Sequence, residues 1–246
     1  MKIFAIYNMK GGVGKTAAAV NLAYEAAETG SRVLVWDLDP QAATTFYFRV
    51  KPKVKGGTKR LVKGANGLDP LIKGTDFDRL DLLPADFSYR KLDHVLGKQR
   101  KDTRMRRLLS SLNGSYDYIF LDCPPSISQL SENVFRAADA LVVPLLPTTL
   151  SLRTFDQIAD FCADKKYRKL KILPFLSMAD RRKALHKEII SDFLSAHMEA
   201  LPTVIPYAAV VERMGLKRAP VGSYARRAPA SVAYASLWQD LLDAVA

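Results

Sequence analysis

Residues 6–20 read IYNMKGGVGKTAAAV. Three glycines, a lysine and a threonine lie between a β-rich run and an alanine-rich one. A loop that leads from a strand into a helix can cradle phosphate, because its backbone N–H groups converge at the helix N-terminus. Glycines let that backbone come close. Gly11, Gly12, Val13 and Gly14 supply the loop, and Ala17 follows it. Lys15 can reach β/γ-phosphates, and the Thr16 hydroxyl suits Mg2+. Yet the stretch departs from the G-x-x-x-x-G-K-[ST] pattern. Met9 stands where the first glycine belongs, and a second lysine, Lys10, precedes the glycines. Lys10 lies on the strand side of the loop, so its side chain is expected to point away from its own phosphate pocket.

Outward from this loop, strand-like and helix-like runs alternate. KIFAIYN (2–8), RVLVWDLD (32–39), RLDLLPA (79–85), YDYIFLDCPP (116–125), ADALVVPLLP (138–147), KILPFLSM (171–178) and TVIP (203–206) read as strands. The near-continuous apolar character of RVLVWDLD suits a parallel strand buried on both faces. AAAVNLAYEAAE (17–28), closed by Gly30, RMRRLLSSL (104–112) and the C-terminal ASVAYASLWQDLLDAVA read as helices. Such alternation implies an α/β fold, a doubly wound and mostly parallel sheet. With neither repeat nor linker in sight, residues 1–246 are expected to form a single domain.

The 246 residues, 48% apolar and 25% charged, suffice for a buried core. No apolar run approaches a membrane span, and the first strand enters the glycine loop too directly for a cleavable signal. Cys123 and Cys162 are the only cysteines, which reads as two structural thiols in a reducing cytoplasm. The net charge is +12 and uneven: 49–63, 98–107, 161–187 and 213–227 together carry +24. Concentrated islands on an acidic background point to a polyanionic partner, with nucleic acid ahead of an anionic membrane. The basic stretch 49–64 lacks periodicity and is expected to be an exposed loop. A DNA contact, a partner-protein site and a merely solvated loop remain open for it. His94, His186 and His197 are scattered and read as surface histidines.

KGGVGKT (10–16) resembles the deviant Walker A motif of the ParA/MinD family of ATPases. The resemblance implies a P-loop NTPase fold, ATP and Mg2+ as cofactors, and a homodimer in which Lys10 crosses to the phosphates held by the other subunit. DLDPQAATT (37–45) resembles the family's switch I. By that likeness Asp39 positions the attacking water and helps with the metal, Gln41 contacts nucleotide, and Asp37 supports the metal shell or the loop. YDYIFLDCPP resembles the Walker B strand and switch II, which makes Asp122 a Mg2+ ligand through water. PTTLSLRTFDQI (147–158) and VIPYAAVVERMGLKRAPV (204–221) match later family segments in spacing. The latter implies that Pro206, Tyr207 and Ala208 contact the base. The guanine-reading N-K-x-D motif is missing, which favours ATP. The implied reaction is slow phosphoryl transfer to water, with Lys10, Lys15 and Asp39 as catalytic residues.

ParA-type members bind DNA without sequence preference as ATP dimers, whereas MinD-type members use a basic amphipathic tail on membranes. The tail SLWQDLLDAVA is acidic, so double-stranded DNA is favoured and membrane is not. Arg181, with Arg182 and Lys183, falls where ParA proteins place a DNA-contacting arginine. A second such arginine in several relatives is Val210 here, with Arg213, Lys217 and Arg218 nearby as substitutes. No helix-turn-helix extension precedes the first strand, which speaks against operator binding. The expected role is a cytoplasmic, nucleoid-associated switch that positions a cargo: chromosome, plasmid, chemotaxis array or a microcompartment such as a carboxysome. A cargo-linked partner protein stimulates hydrolysis in such systems. A MinD-like membrane regulator and a reductase of the nitrogenase-iron-protein type are the alternatives.

Overall fold

The computed structural model describes residues 1–58, 61, 67–92, 95 and 104–246. Among these residues seven strands form one sheet: β1 (Lys2–Ile6), β2 (Val33–Asp37), β3 (Lys73–Gly74), β4 (Leu80–Leu83), β5 (Tyr118–Asp122), β6 (Ala140–Leu145) and β7 (Lys171–Leu176). Their order is β3-β4-β2-β5-β1-β6-β7. All pairings are parallel except β3 with β4. The principal helices are α1 (Lys15–Glu28), α2 (Ala43–Tyr47), α3 (Arg104–Ser110), α4 (Gln129–Ala137), α5 (Thr149–Cys162), α6 (Ala184–Ala196) and α7 (Pro229–Val245).

Period-two alternation divides each of the six parallel strands between two cores. In β1, Ile3 and Ala5 face one cluster with α3, α4 and α5, while Phe4 and Ile6 face the other with α1 and α7. Helices on both faces make the sheet doubly wound, as the alternation predicted. The two strand prolines fall where a missing N–H costs nothing. The Pro174 carbonyl accepts from Leu201 N on the outer edge of β7. The Pro144 carbonyl accepts from the Asn8 side chain, beyond the point where β1 stops pairing with β6.

Four expectations change. TVIP (203–206) is no strand. Ile205 N donates to Leu176 O and Ala179 N to Ile205 O, but only an isolated bridge, Ala179–Pro206, results. Pro202 and Pro206 deny the segment the donors a ladder needs. The two-residue β3 was not foreseen. The basic stretch 49–64 is not wholly exposed. Val54, Thr58 and Leu61 are buried, and Val54 N and Thr58 N donate to Asp86 and Ser88. Lys51, Lys53 and Lys55 stay in solvent, while 59, 60 and 62–66 lie outside the described residues, as does 98–103 of the next island. His186 is buried and its Nδ1 accepts from Asp180 N at 3.1 Å. His197 lies beside Glu199 and packs on Phe193, and His94 is outside the described residues.

Glu25 in α1 lies under the Val221–Ala225 turn. A Cβ on Gly222 there would stand 2.6 Å from Tyr24 Cε1 and 2.9 Å from Glu25 Oε1. Burial pushes the Glu25 carboxyl up to about 7 against the pull of Arg226, with Glu28 adding to the rise. The folded chain thus keeps a proton that the unfolded chain releases nearer its ordinary value of 4.5. That stabilisation is complete below the unfolded value and is lost as pH climbs through about 7. Glu25→Gln is expected to flatten the fall in stability between pH 5 and 8. The gain at pH 8 is about 1–2 kcal/mol, less than the full shift because water reaches the carboxyl. Urea titrations of both chains across that range check it.

Candidate functional site

The loop after β1 stands where the chain reverses its winding, with β5 on one side of β1 and β6 on the other. In open α/β sheets this is the place for a ligand. Asn8, a residue the sequence reading passed over, fixes the loop. It is fully buried, its Nδ2 donates to Pro144 O, and its Oδ1 accepts from Lys10 N at 2.9 Å. Gly12 and Gly14 adopt φ of 73° and 93°, a region closed to most side chains. A Cβ on Gly14 would also come within 3.0 Å of Ser177 Oγ. Val13 is buried and plugs the loop into the core.

The two lysines of the loop part company. Lys15 opens α1, is 8% exposed, and its Nζ donates to Lys10 O at 2.6 Å. Burial lowers its pKa, although Asp122, Cys123 and Asp39 pull the other way. The Lys10 side chain leaves the loop, and its Nζ donates to Leu150 O at 2.7 Å at the start of α5.

Two carboxylates end neighbouring strands in register, Asp37 on β2 and Asp122 on β5. Burial pushes both carboxyls up, and the Asp122 charge adds to the rise at Asp37. Asp122 Oδ2 accepts from Thr16 Oγ1 at 3.0 Å and Thr44 Oγ1 at 2.7 Å. Asp37 Oδ2 accepts from Thr45 N and Thr45 Oγ1, and its Oδ1 accepts from Asp39 N. Asp37 therefore holds α2 and the turn before it. Asp39 Oδ1 accepts from Gln41 N, and Gln41 itself is exposed.

A cavity of about 420 Å³ opens beside the loop. Gly11, Gly12, Gly14, Lys15, Thr16, Ala17, Asp39, Pro206, Tyr207 and Ala208 line it, drawn from three distant segments. Lys10, Val13, Gln41 and Asp122 do not, and Asp122 meets the cavity through Thr16. Tyr47, Ser177, Met178, Val211 and Glu212 also line it and were not foreseen. Met178 has φ 55°, uncommon for a residue with a Cβ. Tyr207 OH donates to Glu212 Oε1 at 2.6 Å, which fixes the ring at the cavity mouth. Backbone amides, a buried ammonium, a threonine hydroxyl beside an acid, and an apolar flank suit a nucleoside phosphate with a hard divalent cation.

The cations expected on DNA occupy two places. Arg181, Arg182 and Lys183 are exposed on the turn between β7 and α6, where Arg182 forks onto the Asp180 carboxylate. Arg213 and Lys217 are exposed, and Arg218 is half-buried. Arg218 Nε donates to Phe46 O, with its guanidinium 4.5 Å from the Phe46 ring centre. Arg49 returns the tie by donating to Lys217 O.

A family model described as an AAA domain matches residues 1–172. The chromosome partitioning protein ParA of Caulobacter vibrioides is 32% identical, over 98% of this chain and 94% of that one. The cobyrinic acid a,c-diamide synthase of Mycobacterium smegmatis, solved with an ATP analog and magnesium, is 25% identical with a TM-score of 0.81. The match covers 98% of this chain and 94% of that one. The cell division ATPase MinD of Pyrococcus furiosus, at 22% identity, has the same fold with a TM-score of 0.80 and 98% of each chain covered. With these likenesses over a sheet whose reversal point carries the two-lysine glycine loop, the chain belongs to the ParA/MinD family of P-loop ATPases.

Proposed function

We propose that this chain is an ATP-dependent dimerising switch that binds duplex DNA without sequence preference and positions a cargo. Hydrolysis, stimulated by a cargo-linked partner protein, releases it. The observation that carries the reading is the divergence of the two lysines. Lys15 stays inside the pocket, while Lys10 points out of it to the protein surface at Leu150. A cation so placed is available to a second copy.

In this reading the loop amides and Lys15 orient the phosphates and balance their charge. Thr16 and Asp122 would hold the metal, and Asp39 would orient the attacking water. Bound Mg2+ supplies further neutralisation of the transferring phosphoryl group. Pro206, Tyr207 and Ala208 flank the base, and the Glu212 bond to Tyr207 keeps that wall in place. ATP with magnesium is the natural ligand, as in the synthase of similar structure. The partitioning relative supports DNA-linked cargo transport. Chromosome, plasmid and protein microcompartment all remain compatible with it.

The competing membrane reading needs a free amphipathic tail. In α7 the apolar face is spent on the core, where Tyr234, Leu237, Trp238 and Leu241 are buried. No helix among the described residues is long and apolar enough to cross a membrane. The reductase reading needs thiols at a surface two chains share, and Cys123 and Cys162 are buried. Binding to random-sequence duplex at fixed salt tests the proposal. ATP with Mg2+ is expected to raise affinity at least about tenfold over ADP or no nucleotide, in line with a coupling of 1–3 kcal/mol. Equal binding in the three states removes the switch.

A further inference from the structure

In the sequence, the basic run 161–187 looks like one island, and the fold cuts it in two. Lys165, Lys166, Arg168 and Lys169 come before β7, and Arg181 to Lys183 come after it. The six residues of β7 lie between and separate the groups by at least about 16 Å at the rise of a strand. Ser177 and Met178 line the nucleotide cavity at the carboxyl end of β7. The first group therefore sits at the opposite end of the sheet, remote from the site already described.

There the cations ring a small cavity of about 170 Å³, with Arg136 of α4 on its other side. Buried Tyr167 packs beneath them. Lys166 Nζ lies 4.9 Å from the centre of its ring and the Arg136 guanidinium 5.8 Å. Lys166 is also held by Glu132 at 3.3 Å and Asp164 at 3.6 Å, so its charge is answered within the chain. Lys165, Arg168 and Lys169 are exposed, and among the described residues no carboxylate pairs with their side chains. Like charges crowded around a concavity repel one another, and an oxyanion placed there relieves the repulsion. A lipid surface is the poorer match. No large apolar side chain is exposed between residues 160 and 171 to enter the acyl boundary. Phosphodiesters need only cations.

We propose that Lys165, Arg168 and Lys169 form a second phosphate-binding site, at the sheet end opposite the nucleotide pocket, whose ligand is the backbone of duplex DNA. The site rests on DNA being this chain's partner, though not on the nucleotide dependence of that binding. Each chain then meets phosphates at both ends of β7.

The test uses the full chain and the triple variant Lys165→Ala/Arg168→Ala/Lys169→Ala, with and without ATP·Mg2+. Each is titrated with random-sequence duplex and with phosphatidylglycerol vesicles over a salt series. A charge-conserving triple, Lys165→Arg/Arg168→Lys/Lys169→Arg, controls for packing. The alanine triple is expected to weaken duplex binding at least about tenfold and to reduce the slope of log K against log salt by about 2–3, near 0.9 per lost phosphate contact. The loss should appear in either nucleotide state, the charge-conserving triple should restore it, and basal hydrolysis should not move. If the parent binds DNA equally with and without ATP but the slope still falls, the switch fails and this site stands. An unchanged slope, no parent binding to duplex, or a loss on vesicles alone overturns the site.

Discussion

Lys10→Ala is expected to keep single-chain nucleotide affinity within about threefold while lowering steady-state hydrolysis by about 10²–10³-fold, the range for removing one preorganised donor from a charged transition state. The prediction rests on a split between the backbone and side chain of Lys10. Its N–H is held by Asn8 and its carbonyl accepts from Lys15 Nζ at 2.6 Å, so both belong to the loop frame. Alanine keeps those bonds. Its Nζ serves no group in the chain's own pocket and donates instead to Leu150 O. Truncation therefore removes a group that lies outside the chain's own pocket and that, in the proposed dimer, would be offered to the other copy. Equilibrium titration with a fluorescent ATP analogue and phosphate release at several protein concentrations separate the two effects. Parent turnover per chain should rise with concentration and that of the variant should not. Equal losses of binding and turnover would place Lys10 in its own pocket and undo the trans role.

The second large effect pairs lost activity with unharmed stability. Asp122→Asn is expected to cut magnesium-dependent hydrolysis by about 10²-fold or more. The nucleotide-free chain should stay as stable as the parent, or gain about 1–2 kcal/mol at pH 8. Asp122 is 1% exposed and lies beside the equally buried Asp37. Burial raises its carboxyl pKa, though the Thr44 and Thr16 hydroxyls and Lys15 favour the charge. A raised value means that ionising the folded chain costs more than ionising the unfolded one, so stability falls as pH rises. Asparagine keeps an acceptor oxygen for both hydroxyls and removes the charge. Urea titrations at pH 8 with and without Mg2+ should show the ion stabilising the parent alone. A variant less stable than its parent by over about 2 kcal/mol would make the carboxylate a structural keystone instead.

Local signals were legible and spatial ones were not. The six parallel strands could be read from apolar runs, because strands buried on both faces need no partner residues to be recognised. TVIP was read the same way, but Pro202 precedes it and Pro206 ends it, and the ladder hydrogen bonds were the part that composition does not record. His186 looked like a surface residue, yet its spacing to Ile189 and Phe193 puts it on the buried face of α6. That signal was present and overlooked. Val54 and Leu61, two apolar residues seven apart amid cations, were likewise a visible anchor. The glycine loop was readable because phosphate binding there is a property of the consecutive residues 10–16. Tyr47, Ser177, Met178 and Glu212 reach the same cavity from segments far apart in the chain. No short-range pattern announces such a meeting, and the positive φ of Met178 has no sequence mark at all.

The two arginines that cross between α2 and the Met214–Lys217 turn join chemistry that is otherwise separate. Arg218 takes the Phe46 carbonyl and Arg49 takes the Lys217 carbonyl, so each segment holds the other's last turn. The same α2 carries Thr44 and Thr45 to the paired acids, and the same turn carries the exposed cations. In the proposed switch, a phosphate that draws Arg218 off Phe46 and a nucleotide that moves α2 would act on one pair of bonds. Thermodynamic linkage then makes the traffic two-way. Whatever factor the nucleotide lends to polyanion affinity, the polyanion returns to nucleotide affinity in equal measure.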